Sequence, residues 1–130
     1  MIVGVLRSMA KSMAFLTANP SCALKLHWAA YPASKASGVD EATLTKRDLH
    51  SIDRQLKPIK EAYALYGKDK VRGAFDTAAW DRLVAFMVRS KQIDKAIPAE
   101  SVKAKIPDLE RRINDFDLAA VQASAKACKF

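Results

Sequence analysis

The stretch FDTAAWDRLVAFMVRSKQI, Phe75 to Ile93, decides how the chain is read. Asp76 is placed to cap a helix, its carboxylate accepting from the backbone amide of Ala78 or Ala79. Trp80, Leu83, Val84 and Met87 then fall at i, i+3, i+4 and i+7, which is one apolar stripe on a helix. Asp81, Arg82, Arg89 and Lys91 lie mostly off that stripe, and the basic end suits the negative pole at a helix C-terminus. A tryptophan in the first turn of such a stripe is a large hydrophobic anchor. Core packing is its expected role, with the other segments supplying the surface it packs on.

Working upstream, the same helical period recurs. Ile2, Leu6, Met9, Met13 and Leu16 alternate at spacings of four and three, opposite Arg7, Ser8, Lys11 and Ser12, so a first amphipathic helix is expected there. It should stop at Ala18-Asn19-Pro20, because the residue before a proline is driven out of the α region. Asn19 is also a good N-cap and Pro20 suits the first helical position, so a second helix begins at once. Its face is Leu24, His27, Trp28 and Tyr31, with Cys22, Leu26 and Ala30 covering much of the rest. Burial on most sides is therefore expected, up to the stop at Tyr31-Pro32.

PASKASG, Pro32 to Gly38, is a loop by composition. Asp40 should cap a helix from Glu41 carrying Leu44, Leu49, Ile52 and Leu56. The apolar pattern continues through Ile59, Tyr63 and Tyr66, but Pro58 removes one backbone bond and clashes with the carbonyl of Arg54. The helix is expected to end near residues 55–57. Residues 57–74 should be mostly irregular, with Gly67 and Gly73 at turns.

Downstream of the opening stretch, a helical turn is expected to open at Pro98. Another short piece follows Pro107, with Leu109 and Ile113 at i and i+4 and an end at Asn114-Asp115. Asp117 caps a last helix whose Leu118, Val121 and alanines can pack closely. No alternating run of strand type occurs. The expectation is a single all-α unit over residues 1–130, about five to six helices in an irregular orthogonal array.

Composition agrees with that class. The chain has 130 residues, 50% of them apolar and 28% charged, with only four glycines, which suits one helical globular unit with a modest core. No apolar run approaches the ~18 residues of a membrane span. Arg7 and Lys11 interrupt the apolar MIVGVL start and nothing basic precedes it, so no signal peptide is expected in this chain. The net charge is +8, which permits nucleic acid, an anionic surface or small anions as partners. The basic residues are scattered, however, and pairs such as Lys46-Arg47 and Arg111-Arg112 read as solvated faces. Nucleic acid is not expected as a partner, since no basic-aromatic interleaving or compact helix-turn-helix appears.

Cys22 and Cys128 stand far apart in sequence. Two cysteines make no disulfide framework, so Cys22 is expected as a small hydrophobe within its helix, a bond to Cys128 being the alternative open in an oxidising compartment. The two histidines, His27 and His50, have no zinc-ligand spacing. None of the sequence patterns of nucleotide sites or of hydrolases is present, and Asp115 and Asp117 read as caps rather than an acid/base pair. No catalytic residue, metal or cofactor is expected.

AKSMAFLTANPSCALKLHWAAYP (Ala10–Pro32), then GVDEAT, resembles the C-terminal part of solute-binding proteins of the nitrate/sulfonate/taurine class of ABC importers. The matching residues are Asn19, Pro20, Ala23, Trp28, Tyr31, Pro32, Gly38, Val39 and Asp40. Further on, Gly73, Phe75, Trp80 and the run Ile113-Asn114-Asp115-Phe116-Asp117 fall where that family has a glycine-aromatic turn, a tryptophan helix and its ending. The resemblance implies the helical C-terminal part of a type II periplasmic binding protein, which is periplasmic and non-enzymatic. It implies a small, often anionic solute and a membrane permease as partners of the full-length relative, with the ligand cleft upstream of anything present here. His27 and Trp28 are the candidate ligand contacts, although core packing is expected of both. A homodimer, or the α/β lobe of the relative, is expected to cover the surplus apolar surface. A free-standing helical interaction module is the alternative reading, and a basic nucleic-acid-binding domain stands behind it.

Overall fold

A computed structural model describes residues 1–66 and 72–128, the side chains of residues 62–66 excepted. The described residues are helical throughout, without a strand. In order they form α1 (Ile2–Ala18), α2 (Pro20–Ala30), α3 (Glu41–Tyr66), α4 (Thr77–Arg89), α5 (Ala99–Val102), α6 (Leu109–Ile113) and α7 (Leu118–Ala127), with a 3-10 turn at Pro32–Ser34. The expected all-α class is what the chain adopts.

Each cap does what its residue type predicts. Asp40 accepts from the Thr43 amide at 2.9 Å, Asp76 from Ala79 at 2.9 Å and Asp117 from Ala120 at 2.9 Å. The Thr43 amide bond holds the Asp40 carboxyl below its ordinary value, and the Lys35 ammonium does the same for Glu41. Asn19 serves two elements at once. Its Oδ1 accepts from the Cys22 amide at 3.0 Å, opening α2, while its Nδ2 donates to the Ala125 carbonyl at 2.9 Å, the last turn of α7.

The body of the protein is α1, α2, α3 and α7. Helix α1 lies against α7, and its buried residues are Ala10 and Ala14. This corrects the expected stripe: Leu6, Met13 and Leu16 are half-buried, but Ile2 and Met9 are 60% and 63% exposed. The partner helix explains the shift. Helix α7 turns the half-buried Leu118 and Val121 and the fully buried Ala125 inward, so its larger side chains meet the side of α1 that carries Ala10 and Ala14. Helix α2 buries Cys22, Leu24 and Trp28. Leu24 and Trp28 join Leu44 of α3 in the core cluster, with Leu49 and Ile52 packed on it. The expected all-round burial of α2 is not found, since Lys25, His27, Ala29 and Ala30 are exposed.

Helix α3 runs straight through Pro58 to Tyr66, where an end near residues 55–57 was expected. Leu44 and Leu56 are buried on it and Ile52 and Ile59 half-buried, so one stripe holds it from both sides of the proline. Pro58 and Arg54 are exposed, so water reaches the carbonyl that loses its helical bond. The irregular segment expected over residues 57–66 is therefore helix. The side chains of Tyr63 and Tyr66 and the turn at Gly67 lie outside the described residues. At Gly73, φ is +80° and an added Cβ would come 3.3 Å from Ile113 Cδ1, so both backbone and space favour glycine there.

Helix α4, the expected organiser, lies at the periphery. Val84 is buried, Trp80 and Met87 are half-buried, and Leu83 and Phe86 are each 50% exposed. Its neighbour is the four-residue α5, too short to cover a thirteen-residue stripe. Trp80 still has a fixed place, its indole Nε1 donating to the Ile97 carbonyl at 2.9 Å.

Candidate functional site

The first turn of α2 and the C-terminal end of α7 are joined covalently. Cys22 is buried within α2, as a small apolar residue would be, and is also bonded to Cys128 across a sequence separation of 106 residues. Both cysteines are consumed in this bond. Together with the Asn19–Ala125 hydrogen bond it ties the start of α2 to the end of α7.

That surface is an open groove of about 1390 Å³ along α1, α2 and α7. It is lined by Val5, Met9 and Met13 of α1, Leu26 and Ala30 of α2, and Ala120 and Val121 of α7. Its polar content is small. The Ser8 hydroxyl donates to the Gly4 carbonyl at 3.0 Å and is thereby satisfied within its own helix. Lys11 and His27 supply the side-chain charge and titratable group. Lys11 holds its ammonium 5.8 Å from the centre of the Phe116 ring, and among the described residues no carboxylate stands within ion-pair distance of it.

The two candidate contacts part company here. Trp28 is core, 8% exposed, with the Lys35 ammonium 5.2 Å from its ring centre; Lys35 also pairs with Glu41 at 2.6 Å. His27 is exposed, one helical position away and on the other side of α2, which corrects the expectation of core packing. It borders the groove, and also a smaller hollow of about 370 Å³ shared with Asp48 and Ile52. Its ring lies 5.3 Å from that of Tyr31.

The charge around the groove is one-sided. All 14 acidic residues of the chain lie between Asp40 and Asp117, so α1, α2 and α7 contain none, while they carry Arg7, Lys11, Lys25 and Lys126. Arg7 is engaged elsewhere, donating from Nε to the Arg112 carbonyl at 2.9 Å and pairing with Asp115 at 3.4 Å. The exposed groove residues Val5 and Met9 had been expected to face inward or went unremarked. The signal that marks this face in the sequence is the absence of any carboxylate over residues 1–39 and 118–130.

Among the described residues no group of three or more His, Cys, Asp or Glu is arranged to hold a metal ion. Among the described residues no helix is long and apolar enough to cross a membrane. No protein-family model, curated protein or solved structure matches the chain.

Proposed function

We propose that this chain is a non-enzymatic docking element that lays its α1–α2–α7 face against a partner. The observation that carries the reading is the groove itself. It is an open, apolar surface on a chain whose neighbouring helices are locked by a covalent bond, and large apolar patches of this kind mark interaction sites. A rigid wall on α2 and α7 faces a methionine-lined wall on α1, a combination that holds position and adapts to shape.

For the wider identity, the ordered motifs from Asn19 to Asp117 favour the C-terminal helical part of a periplasmic solute-binding protein of the nitrate/sulfonate/taurine class. The Cys22–Cys128 bond supports an oxidising compartment. In that reading solute and permease are handled by the whole protein. The test is a blot of fractionated source cells with antibody against this chain. The expected result is a band well above 14.3 kDa in the periplasmic fraction. A 14.3 kDa band confined to the cytoplasm overturns the family assignment.

A free-standing interaction module is the second reading. It is favoured by the way the disulfide and Asn19 bind α1, α2 and α7 into a self-supporting set. A periplasmic band at the chain's own mass selects it.

A further inference from the structure

The groove's partner can be specified further by shape and charge; this rests on the reading that the α1–α2–α7 face is a docking face. At about 1390 Å³ and open along its length, the groove exceeds the ~300–1,000 Å³ of small-ligand sites, which enclose most of their ligand. Helix α1 has 17 residues and so extends for ~25 Å, which matches a partner helix of about four turns. Walls of methionine and aliphatic side chains are the surfaces into which amphipathic helices lay their apolar stripe.

The sign of the partner's charge follows from the side chains that line the groove. They include Lys11 and His27 and no carboxylate, and Lys11 has no acidic partner among the described residues. A second copy of this chain docked face to face would set Lys11 near its own image, and like-charge juxtaposition is costly. The exposed apolar stripe on α4 is no better as an occupant from a second copy. Leu83 and Phe86 are bordered by Arg82 and Arg89 against the single Asp81, and the Arg89 guanidinium sits 5.9 Å from the Phe86 ring centre. We propose that the groove docks an amphipathic helix of a partner protein whose apolar stripe is flanked by Asp and Glu.

The test uses the full chain with its disulfide intact and fluorescein-labelled peptides of about 16 residues, roughly four turns. One peptide carries leucine and phenylalanine at i, i+3, i+4 and i+7 with glutamates beside the stripe. The second replaces each glutamate by lysine, and the third scrambles the first. Anisotropy in ~0.1 M salt is expected to show saturable binding of the acidic peptide, at least about tenfold tighter than the basic one, and no binding of the scrambled one. Met9→Glu and Val5→Glu, both on exposed positions, should each weaken the acidic peptide by about tenfold or more with unchanged thermal unfolding. Lys11→Glu should shrink or invert the acidic preference. Equal affinity for both charges, or acidic binding that survives Met9→Glu, overturns the proposal. So does a dilution-sensitive dimer that Met9→Glu abolishes, since a second copy would then be the occupant. Stoichiometric capture of dodecanoate with no peptide bound also overturns it. None of these outcomes depends on the size or location of the source polypeptide, so the family assignment stands or falls separately.

Discussion

Two tryptophans stand in similar helical settings and meet different fates. Trp28 on α2 is buried against Leu24 and Leu44, while Trp80 on α4 is half-buried beside a helix of four residues. The stripe around Trp80 is the cleaner of the two by pattern, yet α2 lies in the core. An apolar stripe states only that a helix has a side to cover. Whether it is covered depends on the length of the element opposite it, and α3 with 26 residues offers what α5 cannot.

The largest expected effect tests the anchoring of the α2–α7 side. Replacing both cysteines by alanine opens a loop of 106 residues, and the loss of chain constraint in the unfolded state should cost about 4–5 kcal/mol. Urea unfolding of the double variant against wild type measures it; a midpoint that barely moves would mean that α7 is held without the bond.

The two tryptophans come next. Trp28→Ala should cost ~3–5 kcal/mol through lost burial and a cavity. Trp80→Ala should cost ~1–2 kcal/mol, the sum of partial burial and one indole hydrogen bond. Equal costs in chemical denaturation would erase the distinction between the core and the peripheral helix.

Pro58 sharpens the account of α3. Because the helix continues past it, Pro58→Ala restores one backbone bond and relieves the clash with Arg54, and should stabilise by roughly 1–3 kcal/mol with a gain in helical circular dichroism. A loss of helicity would show that the chain turns there after all.

The smallest effect concerns Asp40, whose carboxyl is held below its ordinary 3.8 by the Thr43 amide. Its pKa is lower folded than unfolded, so its contribution is complete above the unfolded value and disappears as pH falls through the folded one. The stability gap between wild type and Asp40→Ala should therefore be widest near neutrality and narrow below about pH 4. A gap independent of pH would place the cap's effect outside its charge.

Much of this architecture is legible in the sequence because its signals are local. Asn19-Pro20, Asp40, Asp76 and Asp117 act within one turn, and each is found capping the helix it announces. What is not legible depends on distant partners. Ala10 and Ala14 outrank Met9 on α1 because α7 packs against that side, a fact located over a hundred residues away. Pro58 is tolerated because Arg54 stays hydrated, which depends on which side of α3 meets α2. Of the two candidate contacts, adjacency in sequence hid the difference: one residue of rotation about α2 sends Trp28 inward and His27 to the groove.

The Cys22–Cys128 bond also decides how the molecule answers a pull on its ends. Tension enters at residue 1 and leaves at residue 130, and the crosslink carries it directly from α2 to the end of α7. Everything between the two cysteines, from the rest of α2 through α7, hangs outside the loaded path. With the bond intact, the extensible chain is little more than residues 1–22, roughly 80 Å when stretched. Once the bond is reduced, the whole chain of 130 residues comes under load and can pay out to about 470 Å. A reductant thus changes a short tether into a long one.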